Sequence, residues 1–348
     1  MERTERKNRR VVKRVNADPG FTRAFVPIRR DTAARKPASI HIDVARRRDV
    51  ARLDQVLQAL QAPSAPSNVV TQVYQPMYAD GVAATGLGDF VRGCLCLTQL
   101  CAILQWPLRI SLAAHPVARW LAYPSLPPRA PARVHRWAEL NHTPALLAGG
   151  NEISHEPALG TGEMIRRFRD AVQEHGAELC AIAFPPMAHF APHQKVGIVH
   201  ALTPTRDIRL GVSAFIRSLP SPMFSVLHVR AGDDTFSCEM SQERIDAIIT
   251  FITPFTPTMP CVLLTDSLAL RRALCLRSTF HVFSDEPPAH TCSATADQLR
   301  TTVAELHLLS QAHNIRAFSV YTHGTGFSKW IALLHDIPYQ CHLLPSHP

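Results

Sequence analysis

The sequence predicts an α/β protein with two parallel sheets, and three observations carry this. Strand-like and helix-like runs alternate from residue 69 to about 184, as crossover connections between parallel strands require. The alternation repeats more cleanly from 206 to 335. In that second half three strands run into polar sequence: His228 and Arg230, Asp266, and Thr322 to Ser328. A parallel sheet brings such strand ends to one edge, and open α/β sheets bind ligands there. Each half therefore reads as Rossmann-like.

Residues 1–66 read as a basic arm and linker, largely disordered. Residues 1–50 hold 15 of the 37 Lys and Arg and 6 of the 28 Asp and Glu, a surplus equal to the whole net charge of +9. The rest of the chain is neutral, so the basic character belongs to the arm and not to the body. The arm reads as a solvated tail, with weak binding to nucleic acid or an anionic surface as the functional alternative. A helical piece is expected over 44–60, followed by the linker APSAPS.

Residues 67–205 read as the first domain. A strand over 69–74 leads into GLGDFVRGCLCLTQLCAIL, where Gly86 and Gly88 precede a helical pattern with a broad apolar face. A glycine loop of this kind lets backbone approach a ligand and aims helix N–H groups at an anion. The spacing of Gly86, Gly88 and Gly93 is not that of the dinucleotide fingerprint. Asp89 and Arg92 fall in the first turn, where Asp89 could be an N-cap and Arg92 a surface charge. A strand at 108–112 and a short helix at 116–122 follow. Residues 125–160 read as loops, then come a helix at 163–175 and a strand at 178–184.

Residues 206–348 read as the second domain. Helices are expected at 206–219, 241–251, 268–275, 296–313 and 328–335, with strands at 223–229, 260–264, 280–283 and 316–320. The strand MFSVLHV ends in Arg230, Gly232, Asp233 and Asp234. His228 and Arg230 are two apart and share a face. An Arg there can fork two hydrogen bonds onto a phosphate; a capped core strand with a surface salt bridge is the other reading.

Nine cysteines without a CxxC pair, and histidines without ligand spacing, predict free buried thiols in a reducing compartment and no zinc site. No run of about 18 apolar residues predicts a membrane span. The N-terminus lacks the apolar stretch of a secretory signal. A soluble, cytoplasmic protein is expected.

The order HVRAGDD (228–234), LLTDS (263–267) and FSVYTHGTGFSKWIALL (318–334) resembles the three C-terminal motifs of the GDP-fucose-dependent fucosyltransferases, the alpha-1,2, alpha-1,6 and protein O-fucosyltransferase group. The resemblance spans roughly residues 67–345 and is strongest after 206. It implies a GT-B fold, two Rossmann-like domains facing across a cleft. It also implies a nucleotide-sugar donor in the C-terminal domain and a glycan or protein acceptor; no DxD-type metal motif stands where a GT-A enzyme would need one, so no metal or other cofactor is expected. By resemblance His228 helps hold the guanine, Arg230 grips the β-phosphate and Asp233 completes the motif. Asp266 would face the guanine. Thr325, Gly326, Phe327 and Ser328 would take the diphosphate on backbone N–H groups and a hydroxyl. Gly86, Gly88, Asp89 and Arg92 match the family's glycine loop, where an acidic residue serves some relatives as base. The chain departs at Ala231, where the motif has a second Arg, which implies one cation fewer.

Inverting transfer has two needs: stabilisation of the leaving diphosphate and a base for the acceptor hydroxyl. Arg230 and the 325–328 turn are assigned the first and Asp89 the second, with Asp233 and Asp234 next in line. Three other readings stand beside this one. They are a heptosyltransferase-like GT-B enzyme with another nucleotide sugar, a catalytically inactive sugar- or nucleotide-binding relative, and a nucleic-acid binder acting through the arm.

Overall fold

The structure, a computed structural model, describes residues 69–345 apart from 79–82, 124–134, 137–156, 177, 181–191, 233–239, 257, 277–279, 285, 287–288, 292–293 and 322–323. The basic arm, the 44–60 helix, Asp233, Asp234 and the Thr322 end of the third motif lie outside the described residues.

The first half runs β1 (Val70–Val73), α1 (Leu87–Leu104), β2 (Leu108–Ser111), a 3-10 turn (Pro116–Trp120) and β3 (His135–Arg136). It continues with α2 (Pro157–His175), β4 (Glu178–Cys180) and α3 (Pro192–Ala201). The second half opens with α4 (Arg206–Ser218), β5 (Ser225–Arg230), α5 (Gln242–Ile252) and β6 (Cys261–Thr265). It ends with α6 (Leu268–Cys275), β7 (His281–Val282), α7 (Leu299–Leu309), β8 (Asn314–Ser319), α8 (Gly326–Leu334) and β9 (Tyr339–Leu343).

Every strand pair in the two sheets is parallel. The first sheet has the order β2-β1-β4-β3 and the second β7-β6-β5-β8-β9. In the second sheet the chain adds strands on one side of β5, then crosses to the other. The order therefore reverses between β5 and β8, and a crevice opens above their C-terminal ends.

Strand alternation divides the side chains of β5 between two layers. Val226 points into a core that it shares with Tyr74, Phe90, Val303 and Trp330. Leu227 and Val229 point the other way, onto Ile245 and Ile249 of α5. The first of these cores is continuous across both halves, so α1 and α3 pack on the second half as well as on their own sheet. Polar contacts add to it. Lys195 of α3 donates to Leu333 O at 2.7 Å and to Asp336 Oδ1 at 2.5 Å, at the C-terminal end of α8.

The structure corrects several sequence readings. The stretch read as loops over 125–160 contains β3 and the start of α2, whose opening PALGTG has two glycines and a proline that suggested a loop. The helix α3 lacks a clear apolar period and was not predicted. Nor was β9, an edge strand in which no residue is fully buried and hence no apolar run marks it. The helix α1 has 18 residues and meets the length and composition of a membrane span, but most of it is buried inside the protein. Cys94, Cys96, Cys101 and Cys261 are buried and outside any disulfide, and burial pushes the Cys96 and Cys261 thiols up to about 12; Cys275 and Cys341 are exposed, against the expectation of buried thiols.

Candidate functional site

A cavity of about 420 Å³ lies above the switch point between β5 and β8. Its lining includes ten of the residues picked out in the sequence: Gly86, Gly88, Asp89, Arg92, His228, Arg230, Asp266, Thr325, Gly326 and Phe327. Ser328 sits directly behind it, fully buried.

The β5 end supplies the first wall. Arg230 is the last residue of the strand, and its Nη1 lies 3.1 Å from Asp266 Oδ2. Asp266 follows β6 and is 3% exposed. Its Oδ1 accepts the Ala231 N–H at 2.9 Å. Burial pushes the Asp266 carboxyl up from the usual carboxylate range, and the Arg230 charge opposes that. Its carboxylate is turned to Arg230 and to the end of β5, and it lines the cavity as well. It fixes the guanidinium, a task the sequence reading had left to Asp233 or Asp234.

Ala231, where the motif has a second Arg, faces away from the cavity. Its side chain is fully buried in the α5-side core, on the face opposite Arg230. Its carbonyl accepts from Arg244 Nη2 at 2.7 Å. Alanine at this position takes no cation from the cavity, because the side chain does not point there.

His228 is 7% exposed. Its Nδ1 meets Ser328 Oγ at 2.7 Å and Thr325 Oγ1 at 3.0 Å. Burial, then the charges of Arg230 and Arg271, lower its pKa to about 3, so the ring is neutral near pH 7. With Nδ1 committed to the hydroxyls, Nε2 is the ring's remaining polar atom.

The α8 turn supplies the second wall. Thr325 is the N-cap of α8, and its Oγ1 accepts from Ser328 N at 3.4 Å. Both hydroxyls face His228, so the hydroxyl expected to take a diphosphate is turned inward. The helix still offers backbone. Gly326 and Phe327 line the cavity, and their N–H groups, first-turn donors of α8, make no hydrogen bond among the described residues.

The third wall is the start of α1, where the N-cap is Gly86 and makes no side-chain cap. Asp89 is thus not the cap. Its Oδ1 lies 3.0 Å from Arg92 Nη2, and its side chain is 37% exposed. Gly88, which lines the cavity, also has a packing role. A Cβ on Gly88 would lie 2.6 Å from Phe327 N and 2.8 Å from Phe327 Cα. Gly88 therefore lets α1 seat directly on the backbone of α8. Gly88→Ala is expected to force α8 away and to cost about 1–3 kcal/mol, as overpacking does. Thermal denaturation with and without nucleotide would show a lowered midpoint and a weakened ligand shift; a normal midpoint would mean that the two helices can part freely.

Sequence reasoning missed the cavity floor. Arg271 and Glu305 are an ion pair at 2.9 Å, exposed by 1% and 2%. Arg271 also donates to Thr265 O at 2.9 Å and to the carbonyls of Ser284 and Glu286. Burial pushes the Glu305 carboxyl up, and Arg271 opposes it. The signal was present: each is a charge on an otherwise apolar helix face, beside Leu270 and Leu274 in one case and Leu306 and Leu309 in the other. The rim residue Thr291 was missed too. Tyr74 OH donates to its Oγ1 at 2.8 Å, and His115 Nε2 bonds its carbonyl at 3.1 Å. Because His115 Nδ1 accepts from Val117 N, the Nε2–H tautomer is fixed, and burial lowers this pKa to about 4. Among the described residues no group of three His, Cys, Asp or Glu side chains could hold a metal ion.

No protein-family model and no curated protein matches the chain. Solved structures do. One is fucosyltransferase NodZ from Bradyrhizobium, at 12% identity and TM-score 0.44 over 78% of this chain and 93% of that one. POFUT1 in complex with GDP matches at 9% and 0.39, over 81% and 99%. FUT1 of Arabidopsis thaliana, in complex with GDP, matches at 11% and 0.44, over 85% and 75%.

Proposed function

We propose that the chain is an inverting glycosyltransferase of GT-B type, moving fucose from GDP-fucose to a hydroxyl of a glycan or protein. One observation carries the reading: Arg230, from the switch point of the second sheet, and Asp89, from the first half, line one cavity. Transfer needs this pairing. The sugar leaves as a diphosphate accumulates charge, and Arg230 with the first-turn N–H groups of α8 meets that charge. The acceptor hydroxyl loses a proton as it attacks the anomeric carbon from the opposite side, and Asp89 takes it. The bond from sugar to phosphate breaks, the bond from sugar to acceptor forms, and GDP departs. Neutral His228 offers Nε2 to the donor, held by its two hydroxyl partners. The reading calls on no metal: arginine and backbone supply the positive charge.

GDP is expected to raise the thermal midpoint of the protein more than ADP or UDP does. A ligand at one hundred times its Kd stabilises by about 2.7 kcal/mol, which a melting curve resolves. Equal shifts for all three nucleotides would sink the guanine assignment, and no shift with any of them would sink the nucleotide site.

A further inference from the structure

We propose that Lys329 is a second phosphate-holding cation of this cavity, acting with Arg230 on the diphosphate. The inference rests on the reading of the cavity as a nucleotide-sugar site and adds a residue to it. Three other cations lie at or behind the cavity, and each has a carboxylate within reach: Arg92 with Asp89, Arg230 with Asp266, and Arg271 with Glu305. Lys329 lines the cavity too, and among the described residues no carboxylate pairs with it.

Its position makes this costly. Lys329 is the fourth residue of α8, in the first helical turn. A helix carries partial positive charge at that end and favours anions there, so an ammonium is at the wrong end. Burial holds its pKa below the usual lysine value, with Cys341 opposing and the Arg92 charge adding to the shift. The Trp330 ring, 5.0 Å from Nζ, gives it a polarisable neighbour but no countercharge. Lys329 and Gly326 line the same cavity, so an ammonium and a first-turn N–H group of α8 belong to one wall. A dianionic group would satisfy them together, as a bound phosphate at a helix N-terminus does.

Lys329→Met keeps the length of the side chain and removes the charge. GDP and GMP affinities, measured on the wild type and on Lys329→Met, separate the outcomes. The variant is expected to bind GDP about tenfold or more weakly, the usual effect of one lost charge-assisted bond, while GMP, which lacks the second phosphate, changes little. Lys329→Arg is expected to recover most of the GDP affinity. The unliganded melting midpoint controls for lost packing against Trp330. Unchanged GDP affinity in Lys329→Met, or equal losses for GDP and GMP, would overturn the proposal and leave the donor site standing. A wild type that binds no GDP would bring down the donor reading itself, and the proposal with it.

Discussion

Arg230→Ala is expected to damage two things at once, and they can be told apart. The first is nucleotide affinity. A charge-assisted contact to phosphate is worth roughly 1.5–3 kcal/mol, so GDP should bind about tenfold or more weakly. The second is stability. Asp266 is 3% exposed, and its Oδ2 lies 3.1 Å from Arg230 Nη1. Removing one partner of a buried pair strands the other charge and costs about 3–5 kcal/mol. The stranded carboxyl can escape by taking a proton. Its folded pKa, already raised by burial, rises further once the guanidinium is gone. A carboxyl whose folded pKa exceeds its unfolded one binds the proton first in the folded state. Stability is therefore regained as pH falls through the folded pKa towards the unfolded value. The deficit of Arg230→Ala should shrink on acidification from pH 7. Arg230→Ala/Asp266→Asn should recover much of the stability at neutral pH and none of the GDP affinity. Recovery of both would mean that Arg230 serves the fold alone.

The same pair shows how much of the site could be read in the sequence. The spacing of His228 and Arg230 on one strand face gave their common direction, and the alternation of strands and helices put Asp266 and Thr325 at the same edge. Local pattern reaches that far because each residue's direction follows from its own strand or helix start. It failed where direction depends on a second element. Ala231 is one residue past β5, and only the packing of α5 shows that it faces the core. Gly88 is a glycine because of Phe327, which is 239 positions away in the chain, so no local rule could give the reason. Arg271 and Glu305 each stand as a charge on an apolar helix face, but only the packing of the two helices shows that they pair with each other. The helix α3 and strand β9 were missed for a related cause: their shape comes from packing and edge pairing, not from a period in their own residues.

Asp89→Asn has the largest expected effect on rate. The substitution keeps the size of the side chain and removes its basicity. If Asp89 takes the acceptor proton, turnover should fall by about 10²–10⁴-fold, the range for a lost general base. GDP affinity should hardly move, because the first half is assigned the acceptor and the second half the donor. The competing account is structural, and the fold narrows it. Asp89 does not cap α1, since the N-cap is Gly86 without a side-chain bond. What remains is the bond to Arg92 one turn on, at 3.0 Å, and the favourable placing of a carboxylate in a first turn. Such a pair on a helix contributes about 0.2–0.5 kcal/mol and the dipole about 0.3–1. On that account Asp89→Asn would lower the melting midpoint by a degree or two and leave the rate alone. Release of GDP from GDP-fucose, with water or a sugar hydroxyl as acceptor, measures the rate, and a titration with GDP measures the affinity. A slow variant with normal affinity assigns the proton to Asp89. Slow turnover with weakened GDP binding would instead mean that the loss of charge has shifted Arg92 and, through Trp330, the start of α8. A variant that turns over normally moves the base to Asp233 or Asp234, the next carboxylates along the strand end that carries Arg230.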